Sequence, residues 1–281
     1  MFTVGTAMIG IVHQATWLVR GRGTSTAGGR MIEQEVYGPF NSLFKQSQEI
    51  NRKYPLYNMK FGLLGFLEDH GRFPPGGVMD REGKLLHGWP ILIGGYAGFY
   101  AENLDFKVPW NQRPNDRIYR CGLNVFTNQS ITEYFNPEGY GLSHYAGNAY
   151  LLPYREIPDD LEPKDWGLFY RKEMNMNNPG DRSKWGLTLD EITDGTETTL
   201  LVGEAAGNYK PWGDPTNVRD PGLGVGRSLD GFGGPPGSEG AYFLMASGNV
   251  RFFSNKTDPK ILKAYGTPNG GEKVPMPQAI E

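Results

Sequence analysis

Residues 71–77 read GRFPPGG. Two adjacent prolines between glycines cannot continue a helix or sit in a central strand. The segment therefore divides the chain into two unlike parts. Ahead of it the pattern is helical. A helix is expected from about Pro39, with Phe40, Leu43, Phe44, Ser47, Ile50 and Tyr54 forming one apolar stripe at three- and four-residue spacing. Pro55 is expected to kink or end it, and a second helical piece, 57–68, carries Met59, Phe61, Leu64 and Leu67.

Beyond residue 77 short strands alternate with long loops. RIYRC (117–121), HYAGNAY (144–150), TTLLVGE (198–204), AYFLMA (241–246) and NVRFFS (249–254) read as strands. A two-residue Ser247-Gly248 turn would pair Met245 with Val250 and Phe243 with Phe252, placing those four on one apolar face. A last helix has Asp258 as cap, Pro259 in its first turn, Ile261, Leu262 and Tyr265 inward, and Gly266 as its stop. With 40 glycines and 21 prolines in 281 residues, loops dominate, and the fold class is α+β rather than a helical bundle. Two regions are expected: an apolar N-terminal segment with a flexible linker (1–30), and a single α+β domain (31–281).

Within 1–30, FTVGTAMIGIVHQATWLV (2–19) is largely apolar and is followed by the linker RGRGTSTAGGR (20–30). A spanning helix needs about 20 predominantly apolar residues. This segment is slightly short, and His13 and Gln14 sit near its middle. A helix lying on a membrane, a truncated anchor and a core helix all fit; a weak membrane anchor is the favoured expectation.

The stretch DGTETTLLVGE (194–204) poses the sharpest chemical question, because an acid stands at each end. Carboxyls that share a glycosidic bond lie about 5–10 Å apart. A strand rises about 3.3 Å per residue, so one from Thr198 to Glu204 spans roughly 20 Å and keeps Asp194 and Glu204 apart. The better reading is a short turn of helix capped by Thr188, an Asp194-Gly195 turn, and a strand at Leu200–Val202 buried on both faces. Glu204 stays available to a site built from elsewhere.

Other chemistry is thin. His13, His70, His87 and His144 have no ligand spacing. The acidic loop PDDLEPKDW (158–166) lacks the regular oxygen spacing of a calcium loop. GLGVG (222–226) is not a dinucleotide fingerprint. Cys121, the single cysteine, cannot close an internal disulfide. No catalytic residue, cofactor or metal set can be assembled. A net charge of −3 without a basic run argues against nucleic acid. Trp110, Trp166, Trp185 and Trp212 lie near Gly-, Pro-, Asn- and Asp-rich loops, as does Trp89. They are candidates for stacking on a glycan or solute, and equally for pinning loops to a core.

Several stretches, in order, carry a resemblance: NMKFGLLGFLEDHGRFPPGG from residue 58, HGW (87–89), VPWN (108–111), YRC (119–121), HYAGNAY (144–150), LDEITDGTETTLLVGE (189–204), PWGDPTNVRD (211–220), DGFGGP (230–235), GNVRFF (248–253) and DPKILKAYGTPNGGE (258–272). The chain resembles the bacterial pseudopilin-like family of unknown function with the prepilin-type processing-associated H-x9-DG domain. The resemblance implies a pilin-like N-terminal helix packed on an antiparallel β-sheet with a loop-rich head. It implies exported or envelope-bound proteins without enzymatic activity, whose partners are other envelope or pilus-like proteins. The family-motif positions are Gly71, Phe73, Pro74, His87, Trp89, Cys121, Asn148, Asp194, Gly195, Glu204, Trp212, Gly248 and Arg251. The motif's His and Asp are replaced here by Gly237 and Ser247, while Gly248 is kept, which assigns the Asp-Gly pair to hairpin geometry rather than catalysis. Tyr57 stands where relatives carry a Cys, so the implied partner of Cys121 is missing. Phe2-Thr3 echoes a processed prepilin start, but Thr6 occupies the position of the usual Glu. The expectation is a non-enzymatic envelope or surface protein. The alternative is a secreted carbohydrate- or solute-binding module using the tryptophan-bearing loops.

Overall fold

The computed structural model describes residues 38–99, 101, 104–156, 186–272 and 274. The N-terminal segment 2–19, the linker, His13, the acidic loop, Trp166 and Trp185 lie outside the described residues. By contacts the chain divides into Met1–Lys45 and Gln46–Glu281, and the second unit contains all the described strands.

Helix α1 runs Gly38–His70 without interruption. Pro55 neither ends it nor splits it, correcting the two-piece expectation. Its ring deletes one backbone bond, to the Asn51 carbonyl, and the Tyr145 hydroxyl donates to the next carbonyl, that of Arg52, at 2.8 Å. The packed face is only partly the one expected: Met59, Leu64 and Leu67 pack on the core, but Ile50, Tyr54 and Phe61 do not. Arg52, Leu56, Met59, Leu63 and Phe66 are buried, whereas Ile50, Tyr54, Tyr57 and Phe61 face solvent. Both rows have helical spacing, so periodicity alone could not choose between them.

The elements after the GRFPPGG break are short. They are β1 (Gly77–Met79), β2 (Leu85–Gly88), α2 (Trp89–Leu92), α3 (Gly94–Ala97), β3 (Leu142–Ser143), β4 (Tyr145–Asn148), β5 (Tyr154–Glu156), β6 (Leu200–Glu204), β7 (Lys210–Pro211), β8 (Val218–Arg219), β9 (Gly240–Met245), β10 (Val250–Ser254) and α4 (Pro259–Gly266). RIYRC is not a strand: Asn115–Arg120 form a 3-10 helix that buries Tyr119. The class is α+β. The central sheet has the order β10-β9-β6-β4-β8, antiparallel except for the β4–β8 edge pair. A second sheet, β2-β1-β5, joins an antiparallel and a parallel pair, and β3 pairs with β7.

The central sheet is covered on both faces. One face meets Leu56, Met59, Leu63 and Phe66 of α1, through Tyr145, Val202, Tyr242 and Leu244. The other carries Ala146, Leu200, Phe243, Met245 and Phe253 against Val225, Phe232, Leu262 and Tyr265. All five residues of β6 are buried, as a strand between two cores requires. In α4, Asp258 accepts from the Lys260 amide at 2.9 Å, and Leu262 and Tyr265 point inward. Ile261 is exposed, contrary to expectation. Gly266 is the last helical residue and not a left-handed stop: a Cβ there would meet Pro221 Cγ at 2.5 Å, so it serves close packing.

The loop of the terminal hairpin is one residue longer than expected. Val250 pairs with Leu244, Arg251 with Phe243 and Phe252 with Tyr242. The Gly248 amide donates to the Met245 carbonyl at 2.9 Å, and the Met245 amide to Asn249 at 2.8 Å. The loop is therefore Ala246-Ser247-Gly248, a turn followed by a left-handed glycine at φ 88°. A one-residue change of register exchanges the two faces. Tyr242, Leu244, Val250 and Phe252 thus line the α1 side, while Phe243, Met245 and Phe253 line the other. Gly248→Ala forces φ 88° on an L side chain and is expected to lower stability by about 1–2 kcal/mol. Ser247→Asp replaces a hydroxyl that hydrogen-bonds Glu197 with a second carboxylate and is expected to lower stability as well. Urea midpoints of the two variants check both.

Candidate functional site

The strongest concentration of buried polar chemistry lies under α1, at the end of β6. Glu204 is 1% exposed. Arg52 donates Nε to Oε1 at 2.9 Å and Nη2 to Oε2 at 2.7 Å, the fork-on-fork geometry of a guanidinium and a carboxylate. Arg52 Nη2 also donates to the Gly240 carbonyl at 2.7 Å. The Tyr242 amide donates to Glu204 Oε2 at 2.7 Å, and Asn128 Nδ2 to Oε1 at 3.2 Å. The Tyr242 ring lies 4.7 Å from the Arg52 guanidinium. Burial pushes the Glu204 carboxyl up, against the pull of Arg52, the Tyr242 amide and Asn128. Both carboxylate oxygens are taken by protein donors, two apiece. The group is a clamp between helix and sheet, with no direction left open for a reacting atom.

The histidines continue the same pattern. The backbone N–H of Asn128 donates to His144 Nδ1 at 2.8 Å, so the proton sits on Nε2 and is given to the Glu133 carbonyl at 2.8 Å. His87 accepts from the Tyr119 hydroxyl at Nδ1, 2.8 Å, with Nε2 against the Asp105 carbonyl at 3.3 Å. Burial lowers the pKa of His87 to about 4 and lowers that of His144 too, so both rings are neutral at physiological pH. Among the described residues no three His, Cys, Asp or Glu side chains are grouped to hold a metal ion.

The other motif positions are joints between elements. The Gly71 amide donates to Leu67 at the end of α1. Phe73 and Pro74 are buried beneath it. Trp89 donates Nε1 to the Asn217 carbonyl at 3.0 Å. Asn148 Nδ2 bridges the carbonyls of Leu200 and Gly266, at 2.8 and 2.7 Å, tying β6 to α4. Asp194 accepts the amides of Gly270 and Gly271 at 2.7 and 2.9 Å, beside the Gly195 turn, and so anchors the tail. Asp194 and Glu204 share no partner. Thr188 and Glu191 exchange hydrogen bonds as a capping box. Arg251 Nη2 pairs with Glu197 at 2.8 Å, which holds that carboxyl below its ordinary range. Cys121 is exposed, and partial burial of its thiol pushes the pKa up, away from a nucleophile.

Of the candidate ligand-contacting aromatics, Trp110 and Trp212 are among the described residues, and both pack against Tyr119. Trp212 is 1% exposed and donates Nε1 to the Cys121 carbonyl at 2.9 Å, so it is a core residue and not a contact surface. Trp110 is half-buried, edge-on to Tyr119 and Tyr140. Trp89, Trp212, Tyr119 and Phe126 form one aromatic cluster under the loops.

Arg52, Asn128 and Arg219 carry no sequence motif that singles them out. Arg52 is the one charged residue in the buried row 52, 56, 59, 63, 66 of α1, a signal that could have paired it with the acid of the buried strand β6. Arg219 gives its donors to the carbonyls of Leu229, Gly231, Gly207 and Asn208, organising three loops. Burial lowers its pKa to about 10.

No family model, curated protein or solved structure matches the chain. Among the described residues no helix is long and apolar enough to cross a membrane.

Removing one partner of a buried, hydrogen-bonded ion pair costs about 3–5 kcal/mol, because the other charge is left without a partner. Glu204→Gln and Arg52→Met are each expected to lose that much in chemical denaturation. The double variant Arg52→Met/Glu204→Leu is expected to lose clearly less than the sum.

Proposed function

We propose that the chain is a non-enzymatic, pseudopilin-like envelope or surface protein whose head is presented by helix α1 within a larger assembly. The observation that carries this reading is the outer face of α1. Ile50, Tyr54, Tyr57 and Phe61 are 58%, 61%, 45% and 67% exposed. They follow one another at spacings of four, three and four residues, the a/d spacing of a helix that packs against another helix. Four large apolar side chains in one unbroken row exceed the scattered exposure normal for a soluble surface and mark an interaction face. The sequence extends the row upstream through Ser47, Leu43 and Phe40. The partners that fit are other envelope or pilus-like proteins.

The chemistry of the buried groups supports a passive role. The Arg52–Glu204 pair under α1 and the buried imidazoles of His87 and His144 spend their hydrogen bonds on holding elements together. The glycan-binding alternative loses Trp212, and no observation favours it through Trp110.

The test is carried out on the full chain in bacterial cells. Envelope extracts are separated by mass, comparing the native chain with Tyr54→Ser/Phe61→Ser. Both changed side chains are exposed, so the melting temperature should hold. The native chain is expected in the envelope fraction as a high-mass complex and the variant as a released single chain. Recovery of the native chain as a single species in the cytosol would overturn the proposal.

A further inference from the structure

A groove of about 320 Å³ opens between two loop segments, Gly226–Leu229 and Gly234–Ser238, with Ala206 and Asn255 at its ends. That volume is at the lower end for small-molecule sites. Its walls are fixed by their own hydrogen bonds. The Gly226 amide donates to Phe232 at 2.7 Å, and the Gly233 amide to Glu204 at 2.9 Å. Asn255 Nδ2 donates to Ser238 at 2.8 Å, and the Ser238 amide to Pro235 at 3.0 Å. Phe232, behind one wall, is fully buried. Two prolines stiffen the opposite wall. The groove is therefore preformed, and binding would carry little cost for ordering the loops.

Its charge is one-sided. Arg227 is the one charged residue among those lining it, and none of the lining residues is acidic. Asp230, the next acid along the chain, is occupied by Asn208 Nδ2 at 2.8 Å. The Arg227 stem is seated over Gly224, where a Cβ would come within 2.9 Å of its Cδ. Its guanidinium has no hydrogen-bond or ion-pair partner among the described residues, unlike those of Arg52, Arg72, Arg219 and Arg251. Arg113 and Arg117 are exposed too, but neither lines this groove. Leu229, 61% exposed, and Pro235 and Pro236 add an apolar surface to the same groove.

A planar fork of donors beside a short apolar wall is the complement of a carboxylate attached to a compact carbon body. We propose that this groove binds a small organic carboxylate of monosaccharide or dipeptide size, with Arg227 holding the carboxyl group and Leu229, Pro235 and Pro236 packing on the body. The site is separate from the outer face of α1 and does not depend on the assembly role. The carboxylate can come from an acidic sugar or from a peptide C-terminus, and the probes distinguish the two.

Calorimetric titration of the full chain uses D-glucuronate against D-glucose, and glycyl-leucine against glycyl-leucinamide. At least one acid is expected to bind saturably in the millimolar range or tighter. Its neutral counterpart should bind about tenfold more weakly or worse, a difference of about 1.4 kcal/mol. Arg227→Gln should cost the acid the same factor, with an unchanged melting temperature, whereas Arg117→Gln should leave binding intact. Saturation by glucuronate alone assigns an acidic sugar, by the dipeptide alone a peptide terminus, and by both a site that reads the carboxyl group itself. The proposal is overturned if neither acid saturates, if the neutral counterparts bind equally well, or if Arg227→Gln binds like the native chain.

Discussion

The bidentate pair between Arg52 and Glu204 is the constraint on which the rest of the arrangement depends. A guanidinium and a carboxylate removed from water are each costly, and their attraction offsets that cost only when the remaining donors and acceptors are also satisfied. Here the Gly240 carbonyl accepts from the arginine, while the Tyr242 amide and Asn128 donate to the glutamate. The Tyr145 hydroxyl adds a bond to the Arg52 backbone, from strand β4 to the helix. The Tyr242 amide is taken by a side chain where the β6 ladder runs out. Helix, central strand and neighbouring strand are thereby fixed in one register. A slip of α1 by a single turn would separate the two charges, so the pair specifies position even where its net contribution to stability is modest.

Once α1 is fixed through Arg52, the fate of its two apolar rows is decided. Leu56, Met59, Leu63 and Phe66 share the arginine's side and enter the core. The row from Ile50 to Phe61 is turned away from the domain. Exposure of that row is thus a consequence of where the buried charge pair holds the helix. On the far face of the sheet a second core under α4 and Phe232 lets β6 and β9 be apolar on both sides, so the sheet has a covered centre.

The sequence made some of this readable and hid the rest for identifiable reasons. The α+β class, the break at GRFPPGG, strands β4, β6, β9 and β10, and the capped helix α4 all rest on local signals: turn residues, alternation and a proline behind an aspartate. The face of α1 did not, because Ile50-Tyr54 and Leu56-Met59 both recur at helical spacing and the deciding residue is an arginine 152 positions from its partner. The hairpin register differs by one residue because Ser-Gly fits either a two- or a three-residue loop, and β6, between two cores, needed apolar residues on both faces of β9. RIYRC reads as a strand by composition, yet Asn115–Arg120 wrap into a 3-10 helix around the buried Tyr119. Trp212 belongs to the core because a loop-borne indole can turn inward as readily as outward. As for the buried polar cluster, Glu204 was legible as a residue to watch, and Arg52 and Asn128 were not, since only the fold brings them to it.

Native-state hydrogen exchange across α1 and the central sheet tests most directly whether the pair locks helix to sheet. The account predicts that the amides of residues 52–66 exchange only through the opening that also releases β6 and β9, with one shared free energy. Exchange of that helical segment through a separate, lower-energy opening, while β6 and β9 stay protected, would contradict it.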